Sequence, residues 1–275
     1  MKKVLAISGG IDSVALLDMM RRDSTVIVAH FNHGIRKNSD QDELFVWQLA
    51  MRYRLPFISI KEELGANCSE AHARERRYAF LEKVCQEHQG QIYTAHHQDD
   101  LIETIAINVL RGTGWRGLVP FGQSHIYRPL ANMTKKEIRQ YAAKYQLVFR
   151  HDSTNTEDYY LRNRVRNALT ELSSEQRKQI ANLHKKQKTI KHEVDQILQD
   201  ILPANNTYQR DWFTNLDDDI AIEILRAGLA KVGKSATHPQ LKDFLAAIRN
   251  YDTNKQFNLP GNTLVTIGRA WFKLN

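Results

Sequence analysis

Cysteine is scarce in this chain, and that excludes several chemistries at once. Cys68 and Cys85 form no CxxC, and no Cys/His set has zinc-ligand spacing, so neither a disulfide scaffold nor a metal–sulfur centre is expected. No apolar run is long enough to span a bilayer. The stretch Val4-Leu5-Ala6-Ile7 is too short for a signal peptide and runs at once into glycine and aspartate, so the expectation is a cytoplasmic protein without a membrane segment. The glycine turn at Ser8–Ser13 is neither a Gly-Lys-Ser/Thr phosphate loop nor a GxGxxG turn, and internal repeats and low-complexity tracts are missing. What remains is 275 residues, 42% hydrophobic and 25% charged, which suits one or two folded domains with a sizeable core.

The charge is unevenly spread. The net charge is +8, and residues 134–192 alone hold 14 Lys+Arg against 6 Asp+Glu, so the remainder balances to zero. A positive surface of that size suits a polyphosphate partner, and a solvated helix face is the plainer alternative.

Short β-branched or aromatic runs alternate with longer amphipathic ones. Strands are expected at Val4–Ile7, Thr25–Phe31, Phe57–Ile60 and Gln91–Ala95. Helices are expected at Ser13–Arg22, at Asp40–Tyr53 with Leu44, Trp47 and Met51 at helical spacing, and at Ser69–Glu87. This alternation predicts an α/β fold, a parallel sheet covered by helices, with ligands beyond the carboxyl ends of the strands. Thr134 and Glu137 have the spacing of a capping box for a helix to about Tyr145, followed by a polar loop, His151–Tyr159. A long charged helix capped at Ser173-Ser174 reaches about Asp200. Pro203–Asn206 reads as a linker, which divides the chain into domains 1–200 and 201–275. The second is expected to be small, mainly helical (Asp217–Val232, His238–Asn250) and closed by a hairpin, Lys255–Leu259 with Leu264–Ile267 around Pro260-Gly261-Asn262.

Two segments carry chemistry. Ser8-Gly9-Gly10-Ile11-Asp12-Ser13 lies between the first strand and the first helix. Its glycines let the backbone turn sharply and approach a ligand, its amides and the helix end form an anion cradle, and Ser8 and Ser13 can donate to phosphate oxygens. Asp12 cannot usefully touch phosphate, so a bridging Mg²⁺ is its sensible role. The second segment, His96-His97-Gln98-Asp99-Asp100-Leu101-Ile102-Glu103-Thr104, follows the fourth strand. Ile102, Ile105, Ala106 and Val109 form a core stripe. His96, Asp99 or Asp100, and Glu103 fall on another face, where carboxylates can hold Mg²⁺ or an ammonium group, or merely complement the helix dipole. For the two histidines, capping or packing is the expected role.

The SGGxDS segment resembles the PP-loop of N-type ATP pyrophosphatases, which implies ATP, cleavage between the α and β phosphates, and adenine at backbone groups near Ala29-His30. HHxDDxxET followed by Arg111–Leu118 resembles the tRNA(Ile)-lysidine synthetase family. Similar matches are His30–Arg36, Glu70–Arg74 with Arg77-Tyr78, Arg128-Pro129-Leu130, Asp152–Asn155 and Arg162–Arg166, which together cover most of residues 1–170. The resemblance implies adenylation of the wobble cytidine in the CAU anticodon of tRNA(Ile), then attack by the ε-amine of L-lysine. It implies that Asp100 and Glu103 orient the lysine with Arg74 near its carboxylate, and that Asp12 and Asp99 serve Mg²⁺. Arg128, Arg162, Asn163, Arg164 and Arg166 would meet RNA, the latter four as a basic loop, with Phe149, Tyr159 and Tyr160 available to stack on a splayed base. It further implies a compact form without the family's last C-terminal domain, a tRNA-binding role for 201–275, and leaves a homodimer open. The alternatives are a tRNA thiolase of the same superfamily, which usually needs a cysteine absent here, and a small-molecule amidating synthetase, which the basic C-terminal half argues against.

Overall fold

A computed structural model describes residues 1–35, 38–65, 68–122, 125–150, 157–251, 255–259 and 263–274. The Asp152–Asn155 motif, Arg36 and the turn 260–262 lie outside the described residues, as do the side chains of Glu70, Tyr159 and Tyr160. Two compact units divide the chain, Met1–His184 and Lys185–Asn275.

The first unit begins β1 (Lys2–Ala6), α1 (Ile11–Met20), β2 (Val26–Asn32), α2 (Ser39–Arg52), β3 (Phe57–Lys61), α3 (Glu70–His88), β4 (Gly90–Tyr93) and α4 (Gln98–Leu110). A short 3-10 turn, Trp115–Leu118, leads to β5 (Ile126–Tyr127), then α5 (Lys135–Lys144), α6 (Glu157–Ala168), a second 3-10 turn and the long α7 (Ser174–Ile201). The five strands form one sheet in the order β3-β2-β1-β4-β5, with every pairing parallel. Successive residues of β1 serve opposite faces, as a pleated strand requires. Leu5 joins α1, α2 and α5 in one core, and Val4 joins α3 in the other. The chain winds outward from β1 to β2 and β3 on one side and later fills β4 and β5 on the other. The switch point between β1 and β4 is where ligands bind in such sheets, and it brings the ends of residues 2–6 and 90–93 together.

The expected strands and helices recur within a few residues, and the parallel sheet covered by helices is confirmed. The faces of two helices differ from expectation. On α2 the core takes Val46, Leu49 and Ala50, while Leu44, Trp47 and Met51 are 52%, 44% and 57% exposed. Both stripes have helical spacing, and only the sheet decides which is covered. On α4, which packs on α6 and the first 3-10 turn, Ile102 and Ile105 are buried, but Val109 is 60% exposed. Strand β5, two residues long, was not anticipated at all, and Arg162–Arg166 belong to α6 rather than to a loop.

Asp18 fastens three helices together. It is 4% exposed on α1 and accepts from the hydroxyl of Tyr53 beyond α2 and of Tyr141 on α5, each at 2.8 Å. Arg21 completes its ion pairing at 2.5 Å. Burial, reinforced by the bonds to Asp18, pushes both phenols up to about 12, so they remain donors at any physiological pH.

The second unit contains the C-terminal part of α7, β6 (Thr207–Gln209), α8 (Arg210–Asn215), α9 (Asp218–Lys231), α10 (His238–Asn250), β7 (Lys255–Leu259), β8 (Thr263–Ile267) and β9 (Trp271–Lys273). The expected hairpin is β7–β8, paired from Lys255–Ile267 to Leu259–Thr263. Strands β6 and β9 extend it to a four-stranded antiparallel sheet, order β6-β9-β8-β7. Its core is mainly aliphatic around an aromatic cluster, with Tyr208 stacked on Phe272 at 5.2 Å and Phe213 edge-on to the latter at 5.1 Å.

Replacing Asp18 leaves the Tyr53 and Tyr141 hydroxyls without their carboxylate acceptor, while Arg21 keeps only the backbone carbonyl of residue 18. Asp18→Ala is expected to cost about 3 kcal/mol of stability, read from urea unfolding followed by near-UV circular dichroism. A loss below about 0.5 kcal/mol, the size of an ordinary surface change, would show that the three helices do not depend on this carboxylate.

Candidate active site

The turn after β1 is built from its own side chains. Gly9 has φ +88°, a left-handed backbone that favours glycine, and an added Cβ would lie 3.3 Å from Phe45. Gly10 has an ordinary extended backbone, and an added Cβ would meet only the Ser8 hydroxyl at 3.6 Å, so its missing Cβ serves access rather than the turn. The Ser13 hydroxyl accepts from Ser8 N–H at 3.2 Å and donates to the Gly10 carbonyl at 2.9 Å. Ser13 is buried and braces the loop, whereas Ser8 is exposed. From outside, the Arg150 N–H donates to the Gly9 carbonyl at 2.9 Å. Loop residues Ser8, Gly10, Ile11 and Asp12 form one wall of a cavity of about 870 Å³.

Helix α4 supplies the facing wall with Asp99, Asp100 and Glu103. His97 is its N-cap: Asp100 N–H donates to His97 Nδ1 at 3.4 Å and His97 N–H donates to Asp100 Oδ2 at 2.9 Å, a capping box. The acceptor role of Nδ1 assigns the ring proton to Nε2, which points toward Asp100 Oδ2 at 3.5 Å and Asp12 Oδ1 at 3.8 Å. Asp99 Oδ2 is 3.8 Å from Nδ1. Three carboxylates thus converge on one imidazole that is 6% exposed.

Cations from later in the chain balance them. Lys135 Nζ lies 2.6 Å from each Asp12 oxygen, and Lys135 N–H donates to Asp99 Oδ2 at 2.6 Å. Arg177 on α7 pairs with Asp99 Oδ1 at 2.5 Å. Glu103, 4% exposed, is held by Arg162 Nε at 2.6 Å and by Arg166 Nε and Nη2 at 3.0 and 2.9 Å, one turn apart on α6. Lys135, Arg139, Arg150 and Arg177 line the cavity and were not singled out from the sequence, which offers fourteen similar cations in that stretch.

The remaining expected site residues are elsewhere. His30 is buried and its Nδ1–H donates to the Ile7 carbonyl at 2.8 Å, tying the end of β2 to that of β1, and burial holds its pKa below the usual imidazole value. Arg74 lies over the Tyr78 ring at 4.9 Å and donates to its hydroxyl at 3.2 Å. Arg128 covers Phe121 at 4.6 Å and donates to the carbonyls of Phe121 and Ile126. Both arginines, with Arg77, surround His96, whose pKa is pushed down to about 3 by burial first and by these charges second. Asn163 and Arg164 share α6 with the arginines that hold Glu103.

A divalent cation fits this chemistry. Asp12 offers two hard oxygens beside the loop, and Mg²⁺ needs only one or two carboxylates when phosphate oxygens and water complete its shell. Among the described residues no group of three or more His, Cys, Asp or Glu forms an all-protein metal site. No helix among them is long and apolar enough to cross a membrane.

Known proteins match this half of the chain. The tRNA(Ile)-lysidine synthase of Geobacter sulfurreducens is 40% identical over 184 residues, covering 60% of this chain and 39% of that protein. The same-named protein of Exiguobacterium sibiricum is 35% identical over 182 residues, covering 63% of this chain and 44% of its own length. The chain therefore spans about two fifths of the length of the curated relatives it matches. In fold it is similar to the U34-tRNA thiolase NcsA of Methanococcus maripaludis, with TM-score 0.60 at 16% identity over 69% of this chain and 72% of that one. The PP-loop domain profile matches residues 1–173, the span that contains both walls of the cavity, and the chain belongs to that family of ATP-using enzymes.

Proposed function

We propose that this chain is a tRNA(Ile)-lysidine synthase, a cytoplasmic ligase that joins L-lysine to C2 of the wobble cytidine in the CAU anticodon of tRNA(Ile), forming AMP and pyrophosphate. One observation carries the reading. The phosphate loop and the carboxylates Asp99, Asp100 and Glu103 face a single cavity, within the part of the chain that resembles the curated lysidine synthases.

The reaction needs two bond exchanges in one place. In the first, the C2 oxygen of cytidine bonds the α-phosphorus of ATP and the bond to pyrophosphate breaks. In the second, the lysine ε-nitrogen bonds C2, the bond from C2 to the adenylate oxygen breaks, and AMP leaves as the amine loses a proton. The loop amides at 8–13 bind the triphosphate, and their fixed direction favours charge that builds on the leaving pyrophosphate. Asp12 and Asp99 would hold Mg²⁺, which when bound supplies charge neutralisation at the phosphates. Asp100, fixed by its bond to His97, and Glu103 orient the lysine ammonium, and Arg74 is the candidate for its carboxylate. Arg162 and Arg166 are themselves positioned by Glu103, and with Asn163, Arg164 and Arg128 they offer donors to the anticodon backbone. The sulfur-transfer alternative lacks its chemistry here, since Cys68 and Cys85 lie outside the cavity lining. Residues 201–275 are proposed to contact tRNA beyond the anticodon.

Incubation of the chain with ATP, Mg²⁺, radiolabelled lysine and a panel of tRNAs tests the reading. Label entering only tRNA(Ile) with anticodon CAU supports it, and ATP cleavage that requires ammonia and no RNA would replace it with an amidating synthetase. Glu103→Gln removes the negative charge that Arg162 and Arg166 share. It is expected to raise the KM for tRNA by about tenfold or more while ATP binding is unchanged. Parallel loss of ATP binding would place Glu103 in the nucleotide pocket instead.

A further inference from the structure

Lys135 is fixed at its backbone and partly exposed along its side chain. Its backbone N–H is fixed on Asp99 at 2.6 Å, at the first position of a helix whose Thr134–Glu137 capping box is complete. Ile138 is fully buried and Tyr141 is bonded to Asp18, so α5 cannot slide. The side chain, by contrast, crosses the cavity wall with 30% of its surface exposed and ends in the bite of the Asp12 carboxylate, 2.6 Å from both oxygens. That bite is the position where a hard divalent cation would sit. A lysine ammonium is a compact point charge on a flexible stem, so it can leave a carboxylate without any movement of its Cα.

We propose that Lys135 is the standing counter-ion of Asp12, displaced when a divalent cation arrives with a polyphosphate, and that it then turns onto the phosphate oxygens. This rests on the nucleotide reading above. The electrostatics require some such occupant. Asp12, Asp99 and Asp100 gather around buried His97, and Arg177 offsets Asp99 only. Without Lys135 the Asp12 carboxylate would face two like charges across a partly desolvated cavity. A metal ion entering alone must displace the ammonium into a cavity that already contains Arg139, Arg166 and Arg177. A metal ion entering with a polyphosphate brings the anion that accepts the ammonium. With Lys135 on Asp12 the site therefore resists bare cations and takes metal and nucleotide together. The same residue serves as carboxylate partner in one state and phosphate clamp in the other.

Mn²⁺ binding to the full chain, read by electron paramagnetic resonance without nucleotide, RNA or lysine, tests this directly. Lys135→Met is expected to tighten Mn²⁺ by about tenfold relative to the native chain, and adding Asp12→Asn is expected to abolish the gain. With saturating Mn²⁺, Lys135→Met is expected to weaken ATP by about tenfold. Lys135→Gln, neutral and still able to bond Asp12, replaces the methionine variant if the latter does not fold. Equal Mn²⁺ affinity in native and neutral variants, with unchanged thermal midpoints, overturns the proposal, as does a gain that survives loss of Asp12. A lowered thermal midpoint with unaltered Mn²⁺ affinity marks Lys135 as a structural bridge and overturns it too. Lysine transfer can fail while the Mn²⁺ shift holds, which removes the lysidine reading alone.

Discussion

Three carboxylates brought to one buried imidazole repel one another, and that repulsion governs how the rest of the first unit is built. The parallel pairing of β1 with β4 makes the crowding unavoidable, since it places the turn carrying Asp12 beside the cap of the helix carrying Asp99 and Asp100. Compensation arrives from far away in sequence. Lys135 is 123 residues from Asp12, and Arg177 is 78 from Asp99. The helices α5 and the start of α7 must therefore dock before the site is electrically tolerable, and the buried Asp18–Tyr141 bond helps to fix α5 there. Glu103 repeats the pattern with Arg162 and Arg166 of α6. Glu103, 4% exposed, is the buried charge of its cluster, and leaving it uncompensated would be far costlier than its pairs are favourable.

Much of this was legible because it is local. The strand–helix alternation, the SGGxDS turn, the Thr134–Glu137 capping box and the β7–β8 hairpin all depend on residues within a few positions of one another. The capping role of His97 was legible for the same reason. Sequence-local signals fail in a graded way. Leu44, Trp47 and Met51 do form one face of α2, yet a second face with Val46, Leu49 and Ala50 is the one the sheet covers. Periodicity identifies a helix and its stripes, and only a partner surface selects between them. Strand β5 consists of Ile126 and Tyr127, too short to show any period, and exists because the edge of β4 offers hydrogen bonds.

Long-range charge pairing was the part that the sequence concealed. Lys135 and Arg177 are two of fourteen basic residues between 134 and 192, and nothing in their neighbours distinguishes them from solvent-facing lysines. Arg162 and Arg166 were noticed as a basic cluster suited to RNA, while their grip on Glu103 became apparent only once α6 packed on α4. The Ser13 hydroxyl, equally, reads as a phosphate donor in the motif and is a brace of the turn in the fold.

The most direct measurement is a crystal structure of the chain with Mg²⁺ and an ATP analogue that cannot be cleaved between the α and β phosphates. The expected density places the triphosphate against the amides of residues 8–13, metal on Asp12, and Lys135 turned from Asp12 to phosphate. A nucleotide bound elsewhere, with the turn empty and Lys135 still seated on Asp12, would contradict the assignment of this cavity as the reaction site.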